Sequence, residues 1–454
     1  MAEFESINPW TGKTIETFKT HTDDELKNKV GNAHSTFLEW RKTSFDKRTQ
    51  LMNELAQQLR AKKTTLAETI TEEMGKPITQ AIAEIEKCAW ACEYYAENAE
   101  DFLKNEIIPT AAHKSFVRHD PLGVVVAIMP WNYPFWQVIR FAAPSLMAGN
   151  VGILKHSSNV SRCALKLEQV FYDAGFPKGA FQAILADNEQ TKAVLEHPKV
   201  AAATLTGSER AGSSVASTCG AVIKKTVLEL GGSNAMIVFE DADLQKTAEI
   251  AVNARFMNAG QSCIAAKRFI VLDSVYEEFI HLFKKMAEKF QIGDPTNPDT
   301  LIASMARLDL AEKLEEQMNK SVEMGAEIFW GGKREEAKFH PTILTNVKEG
   351  MPAFEEETFG PLAAFIRVKD EDEAIKIANS TKFGLGVMIF SQNIKRAEEL
   401  AWYFDDGAVF INELVKSDPR LPFGGTKISG YGRELSKDGI MEFINRKTVY
   451  INQL

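Results

Sequence analysis

The sequence predicts an α/β protein built on doubly wound parallel sheets. Two observations carry that expectation. From residue 122 onward, short apolar runs rich in β-branched residues alternate with stretches of helical periodicity, the rhythm of β-α units. The alternation then begins again after residue 231, so that two α/β layers follow one another along the chain. Taken in order, residues 24–104 come first and read as helices, with apolar residues three and four apart in stretches such as LMNELAQQLRAKKTTLAETITEEMG. The first series of units is LGVVVAIM with a helix over 135–148, NVGILK with 159–174, FQAILA with 188–196, VAAATLTG with 208–219, and AVIKKTVLEL. The second is NAMIVF with a helix near 243–257, KRFIVL with a helix near 274–290, and further units to about 411. Residues 105–121 and 446–454 fit neither pattern and read as extended arms, of the kind that pair with another subunit.

Composition narrows the function classes. The chain has 454 residues, 44% hydrophobic and 25% charged, with a formal net charge of −9. That balance argues against nucleic acid or an anionic membrane as partner, since both call for a basic face. It leaves room for a small anionic substrate held by a local arginine. The start, MAEFESINPW, lacks the basic and apolar regions of a signal peptide, and GVVVAIMPW is far too short to span a bilayer. Five cysteines in a long chain read as reduced thiols of a cytoplasmic protein rather than a disulfide framework. Cys88 and Cys92 share a helical face, but no second ligand pair accompanies them, so no metal site is expected.

Four stretches carry chemistry. In NAGQSCIAAKRF, Cys263 follows Gly260, a helix breaker, and precedes the strand KRFIVL. A thiol on such a turn can face a cleft, where backbone N–H groups favour its thiolate; the alternative is a small core residue. Asn132, in PWNYP after the strand GVVVAIM, offers a neutral side-chain donor to a developing oxyanion, or else merely caps a turn. Glu229 closes the apolar strand of VLELGG, where desolvation raises a carboxyl toward general-base range, unless it forms an ordinary ion pair. Thr206-Gly207-Ser208 opens a helix after a strand, a place where phosphates bind, although the GxGxxG fingerprint is missing.

These stretches stand at strand ends, where open α/β sheets bind ligands. Together PWNYP, TGSERAG, LELGG, GQSC, EETFGP at 356–361 and PFGGTKISGYGRE at 422–434 resemble the aldehyde dehydrogenase superfamily over nearly the full length. The resemblance implies an aldehyde dehydrogenase-like fold of three parts. A Rossmann-like cofactor domain takes 1–104 and 122–228, an α/β catalytic domain takes 229–434, and a small β bridging domain is made from 105–121 and 435–454. A homodimer or homotetramer is implied with it. Carried over by position, Cys263 is the nucleophile, Asn132 and the Cys263 backbone N–H are the oxyanion hole, and Glu229 activates water. Trp131, Lys155, Ser158, Gly207, Ser208, Glu357 and Phe359 are the cofactor-contacting set. The implied reaction is thiolate addition to the aldehyde, loss of hydride to the nicotinamide, and hydrolysis of the thioester to the acid.

Two positions refine the expectation. Many relatives that prefer NAD carry a glutamate three residues after the lysine matched by Lys155, where this chain has Ser158. Without that carboxylate a 2′-phosphate is not repelled, so NADP or NAD is expected as cofactor. Arg140, about two helical turns after Asn132, matches the arginine that binds the substrate carboxylate in succinate-semialdehyde dehydrogenases, the alternative being a structural ion pair with an acidic residue. Ser417 in NELVKSDPRLPFGG is the matching serine contact of a bacterial subgroup. The second carboxylate-binding arginine of some relatives is replaced by Met257, with Arg255 nearby, and Ala265 removes the second thiol of a Cys-x-Cys switch. The expected substrate is succinic semialdehyde, with glutarate semialdehyde or an uncharged aliphatic aldehyde as alternatives. A cysteine esterase without hydride chemistry and a non-catalytic binding protein are the readings from other classes.

Overall fold

A computed structural model describes residues 2–453. An N-terminal hairpin, Glu3–Ile7 with Thr14–Lys19, precedes the helices, and its strands were not expected from the sequence. The helical stretch resolves into Asp23–Trp40, Phe45–Ala61, Lys63–Met74 and Ile78–Phe102. Local chemistry sets these boundaries. Thr22 and Glu25 form a reciprocal capping box, Ser44 caps the second helix, and Gly75 ends the third in the left-handed region at φ 73°.

The first series of units forms a six-stranded sheet, ordered Gly430–Tyr431, Lys225–Glu229, Val200–Thr206, Val124–Met129, Val151–His156, Phe181–Ile184. All neighbours are parallel except the first pair, in which Gly430 lies opposite Glu229. The second series forms a seven-stranded sheet, ordered Glu327–Trp330, Thr342–Thr345, Leu362–Val368, Ala266–Leu272, Asn234–Val238, Val387–Phe390, Val409–Ile411, antiparallel only at Glu327–Trp330. Strands covered on both faces read as apolar runs, as VVVAIM does; AKRFIVL is also buried throughout, its Lys267 and Arg268 held by backbone carbonyls. The extended arms Glu106–Ile107, Lys114–Pro121 and Ile444–Ile451 make a separate three-stranded antiparallel sheet, with Ile444 opposite Pro121 and Ile451 opposite Lys114. A short helix, Ser436–Met441, leads into the last of them.

Parallel strands put every C-terminal end on one edge. Along the six-stranded sheet that edge presents, in spatial order, Glu229, then Thr206–Ser208, then Pro130–Asn132, then Lys155–Ser158. Residues far apart in sequence become neighbours through strand order alone.

Candidate active site

The turn Pro130–Pro134 is clamped from three directions. His156 is buried and held neutral, its pKa pushed down to about 4 chiefly by burial. Its Nε2 lies 2.9 Å from Pro134 O and its Nδ1 3.1 Å from Met129 O and 2.9 Å from Ser157 N, so the ring ties the turn to the end of its strand. Glu84, on the helix Ile78–Phe102, accepts from Phe135 N–H at 2.9 Å and Trp136 N–H at 3.0 Å and thereby caps the helix Trp136–Met147. It also pairs with Lys76 in a fully buried ion pair, and the Lys76 ammonium lies 3.8 Å from the Tyr133 ring centroid. Asn258 Nδ2 donates to Asn132 O at 2.9 Å. Asn132 is therefore fixed: its Nδ2 donates to Gln261 O at 3.1 Å, and one N–H of that amide remains for a ligand.

The helix before the thiol ends at Phe256, four residues earlier than the Gly260 breaker suggested. Asn258, Ala259 and Gly260 are all left-handed, at φ 55°, 52° and 70°, so the chain reverses over three residues rather than at one. A side chain at Gly260 would strike Gly360 O and stand 2.9 Å from Arg255 Nη2. Gln261 braces the turn, accepting from Ala306 N–H at 2.9 Å through Oε1. Lys267 then donates to Ser262 O at 2.9 Å and Cys263 O at 2.8 Å and stands 3.4 Å from Glu357. Gly232 permits a close approach beneath the loop, since a Cβ there would be 2.9 Å from Cys263 O.

Cys263 is the one residue shared by the walls of two cavities, one of about 540 Å³ and one of about 460 Å³. Burial pushes its thiol up to about 11, opposed by the charges of Arg140 and Lys267. This departs from the expected pre-formed thiolate: the turn directs no hydrogen bond at the sulfur strong enough to offset desolvation. The thiol is protonated at neutral pH in the ligand-free molecule and must lose its proton as chemistry begins.

The larger cavity collects Trp131, Asn132, Gly207, Ser208, Glu357 and Phe359. Ser208 caps the helix Glu209–Ala221 by accepting from Ala211 N–H, and Gly207, Ser208 and Glu209 line the cavity, so the N-terminus of that helix borders it, a setting for phosphate. Trp131 and Phe359 meet edge to face at 5.6 Å and form an aromatic wall for a planar ring. Glu357 accepts from Gly232 N–H at 3.0 Å, and Gln317 donates to Glu356 at 2.7 Å and to Glu357 O at 3.3 Å, which fixes the EETFGP segment. Lys313, Gln317, Lys382 and Phe383 also line this space, and no sequence spacing linked them to it. Lys155 and Ser158 lie outside this wall, beyond the Pro130–Asn132 turn on the same sheet edge. The volume, the helix N-terminus and the aromatic wall together fit a dinucleotide.

Arg140 and Ser417 line the smaller cavity with Cys263. Arg140 is almost fully buried and paired with Glu434, donates to Thr206 Oγ1 at 3.3 Å, and has its guanidinium 4.6 Å from the Phe423 ring centroid. The anticipated ion pair and the cavity position thus coexist. Met257 is on the cavity wall, 43% exposed, whereas Arg255 is sealed elsewhere, donating to Ala266 O at 3.0 Å and Thr358 O at 2.9 Å. Lys87, from the helix Ile78–Phe102, lines the same cavity and was not anticipated.

Glu229 is on neither wall. It is 2% exposed and neither carboxyl oxygen has a hydrogen-bond partner among the described residues. Burial raises its pKa well above the ordinary carboxyl value, with Glu434 adding to the shift and Arg140 opposing it. Only packing holds the carboxyl in place, so rotation toward the thiol breaks no hydrogen bond.

The aldehyde dehydrogenase family model matches residues 1–449 of the chain. The probable succinate-semialdehyde dehydrogenase [NADP(+)] of Synechocystis sp. is 47% identical over 449 residues, covering 98% of this chain and 99% of the relative. Succinate-semialdehyde dehydrogenase [NADP(+)] 1 of Mycobacterium tuberculosis is 47% identical over 455 residues with the same coverage. The crystal structure of succinic semialdehyde dehydrogenase from Streptococcus pyogenes in complex with NADP+ superposes with a TM-score of 0.96 at 36% identity, covering 99% of this chain and 100% of that one. With its thiol between a dinucleotide-shaped cavity and a second, cation-lined one, this chain belongs to the aldehyde dehydrogenase family.

Proposed function

We propose that this protein oxidises succinic semialdehyde to succinate, using NADP or NAD, with Cys263 as nucleophile. The observation that carries the reading is the position of Cys263 at the junction of two cavities, one fitted to a dinucleotide and one lined by Arg140 and Lys87. The curated relatives at 47% identity are named for this substrate and for NADP, which supports the same assignment.

The chain's own groups divide the work. The Cys263 thiol releases its proton to water in the cavity, its sulfur adds to the aldehyde carbon, and the remaining Asn132 N–H together with the Cys263 backbone N–H receives the oxyanion. The bound dinucleotide supplies a hydride acceptor. The thioester left on Cys263 is cleaved by water once Glu229 turns toward it and takes the water's proton, a step suited to a carboxyl whose pKa burial has raised. Arg140 and Ser417 orient the distal carboxylate of the substrate. Lys155 and Ser158 meet the adenine ribose, and the absence of a carboxylate at Ser158 admits a 2′-phosphate.

The deciding experiment is reduction of NADP and of NAD with succinic semialdehyde, glutarate semialdehyde and butanal. Succinic semialdehyde with NADP is expected to give the highest kcat/KM. Equal rates with butanal would overturn the substrate assignment, and no reduction with any aldehyde would overturn the chemistry.

The two large sheets support a cofactor domain, 1–104 with 122–228, and a catalytic domain, 229–434, except that Gly430–Tyr431 returns to the first sheet. The arm sheet supports a bridging role for 105–121 and 435–454 in a homodimer or homotetramer.

A further inference from the structure

Lys87 has no carboxylate partner among the described residues, yet it stands on the wall of the smaller cavity. Its ammonium lies 4.2 Å from the Trp136 ring centroid and donates to Ser417 Oγ at 2.8 Å. The Trp136 indole N–H donates to the same oxygen at 2.9 Å. Ser417 Oγ therefore accepts twice, and its own proton is left to donate; no acceptor for it exists among the described residues. An ammonium with N–H groups to spare and a hydroxyl compelled to donate share one wall.

The neighbouring acids are committed elsewhere. On Lys87's own helix, Glu84 pairs with Lys76 and caps two amides. In the loop that carries Ser417, Asp418 pairs with Arg420, and Lys416 is occupied by Glu413. Arg140, the nearest cation on the helix Trp136–Met147, is balanced by Glu434. Cys88, also facing Lys87, is held as a neutral thiol by burial. The unbalanced charge of the cavity thus comes from Lys87.

We propose that Lys87 and Ser417 form the seat for the distal carboxylate of the aldehyde substrate, and that Lys87, rather than Arg140 alone, sets the preference for an anionic aldehyde. This rests on the function proposed above. A lysine and a serine donor converging on one point suit a carboxylate, and an uncharged chain gains nothing from them. The seat is also pH-sensitive. Burial and the Arg140 charge push the Lys87 ammonium down to about 8, so the cation is present below that pH and lost above it.

The test compares kcat/KM for succinic semialdehyde and for butanal, at saturating NADP, in the wild type, Lys87→Met and Lys87→Arg, between about pH 6.5 and 9.5. Charge-assisted hydrogen bonds of this kind predict a loss of about 10- to 100-fold for succinic semialdehyde in Lys87→Met, with butanal within about twofold. In the wild type the ratio of the two values falls as pH rises through about 8, whereas in Lys87→Arg it stays flat because a guanidinium keeps its proton. Lys267 titrates in the same region, but it touches the Ser262 and Cys263 carbonyls and so affects both aldehydes alike. Equal losses for both aldehydes in Lys87→Met, or a wild-type ratio that does not change with pH, would overturn the seat while leaving the substrate assignment standing. A wild type with no preference for succinic semialdehyde at pH 7 would overturn the assignment itself. Should Lys87→Met fail to fold, the wild-type pH profile decides alone.

Discussion

At the scale of single residues, the site is a set of opposed electrostatic effects. Burial disfavours the Cys263 thiolate, and Arg140 and Lys267 partly restore it. Lys267 is itself pushed down to about 8 by burial, so its help is greatest below that pH. Replacing Lys267 by Met removes one of the two cations that oppose burial and is expected to push the thiol further up. One pKa unit changes the thiolate fraction about tenfold. Alkylation of Cys263 by iodoacetamide at pH 7 is therefore expected to slow by roughly that factor in Lys267→Met, and its pH profile to move to higher pH. An unchanged profile would mean that Lys267 serves only to hold the loop through the Ser262 and Cys263 carbonyls. A second prediction concerns Ser158, which is exposed at the start of a 3-10 turn. Ser158→Glu puts a carboxylate at the proposed ribose position and is expected to raise KM for NADP by about tenfold or more while sparing NAD, because like-charge apposition penalises only the phosphorylated cofactor. Steady-state kinetics with both cofactors measures this directly, and a ratio equal to that of the wild type would remove Ser158 from the account of cofactor choice.

At the scale of elements, the helix Ile78–Phe102 contributes more to the site than any motif announced. Glu84 caps the helix that follows Asn132, and one turn further on Lys87 meets Ser417. Glu84→Gln keeps the shape but leaves the Lys76 ammonium buried beside a neutral amide. Breaking a buried pair by removing one charge costs roughly 3–5 kcal/mol. Urea denaturation is expected to show a loss of that order, and a loss below about 1 kcal/mol would mean that the pair is replaced by water or by relaxation of Lys76. The same helix shows what the sequence could and could not disclose. The central parallel strands of both sheets were legible because strands covered on two faces are mostly apolar, and Cys263, Asn132 and Gly207 stood out because each lies in a motif beside a strand end. Lys87 was not, since one charged residue in a helical pattern reads as solvated surface until the fold brings it to a serine 330 positions away. His156 and Arg255 were hidden for the same reason: their partners are carbonyls, which carry no sequence signature. The two-residue strand Gly430–Tyr431 was too short to show any period.

At the scale of the whole molecule, the three-stranded sheet of arms has few reasons to exist in an isolated chain. Ile444–Ile451 pairs with Lys114–Pro121 along one side and has no strand on its other side. Ile107, Ile108, Tyr450 and Ile451 are 64%, 44%, 55% and 41% exposed on these segments. An open edge flanked by apolar side chains is a template for pairing, and soluble proteins that keep one ordinarily cover it. The seven-stranded sheet ends in a second open edge at Val409–Ile411, with all three residues half-buried. Open edges of this kind are met most economically by a symmetric assembly in which copies cover one another's strands. Light scattering is therefore expected to return a multiple of the 50.6 kDa chain mass, with two or four copies. The double substitution Tyr450→Glu with Ile451→Glu puts two charges on the outer strand and should shift the population toward the single-chain mass, while leaving the parallel sheets and hence the far-ultraviolet circular dichroism unchanged. A wild type that runs as a single chain at micromolar concentration would show that both edges tolerate water, and the arms would then need a different explanation.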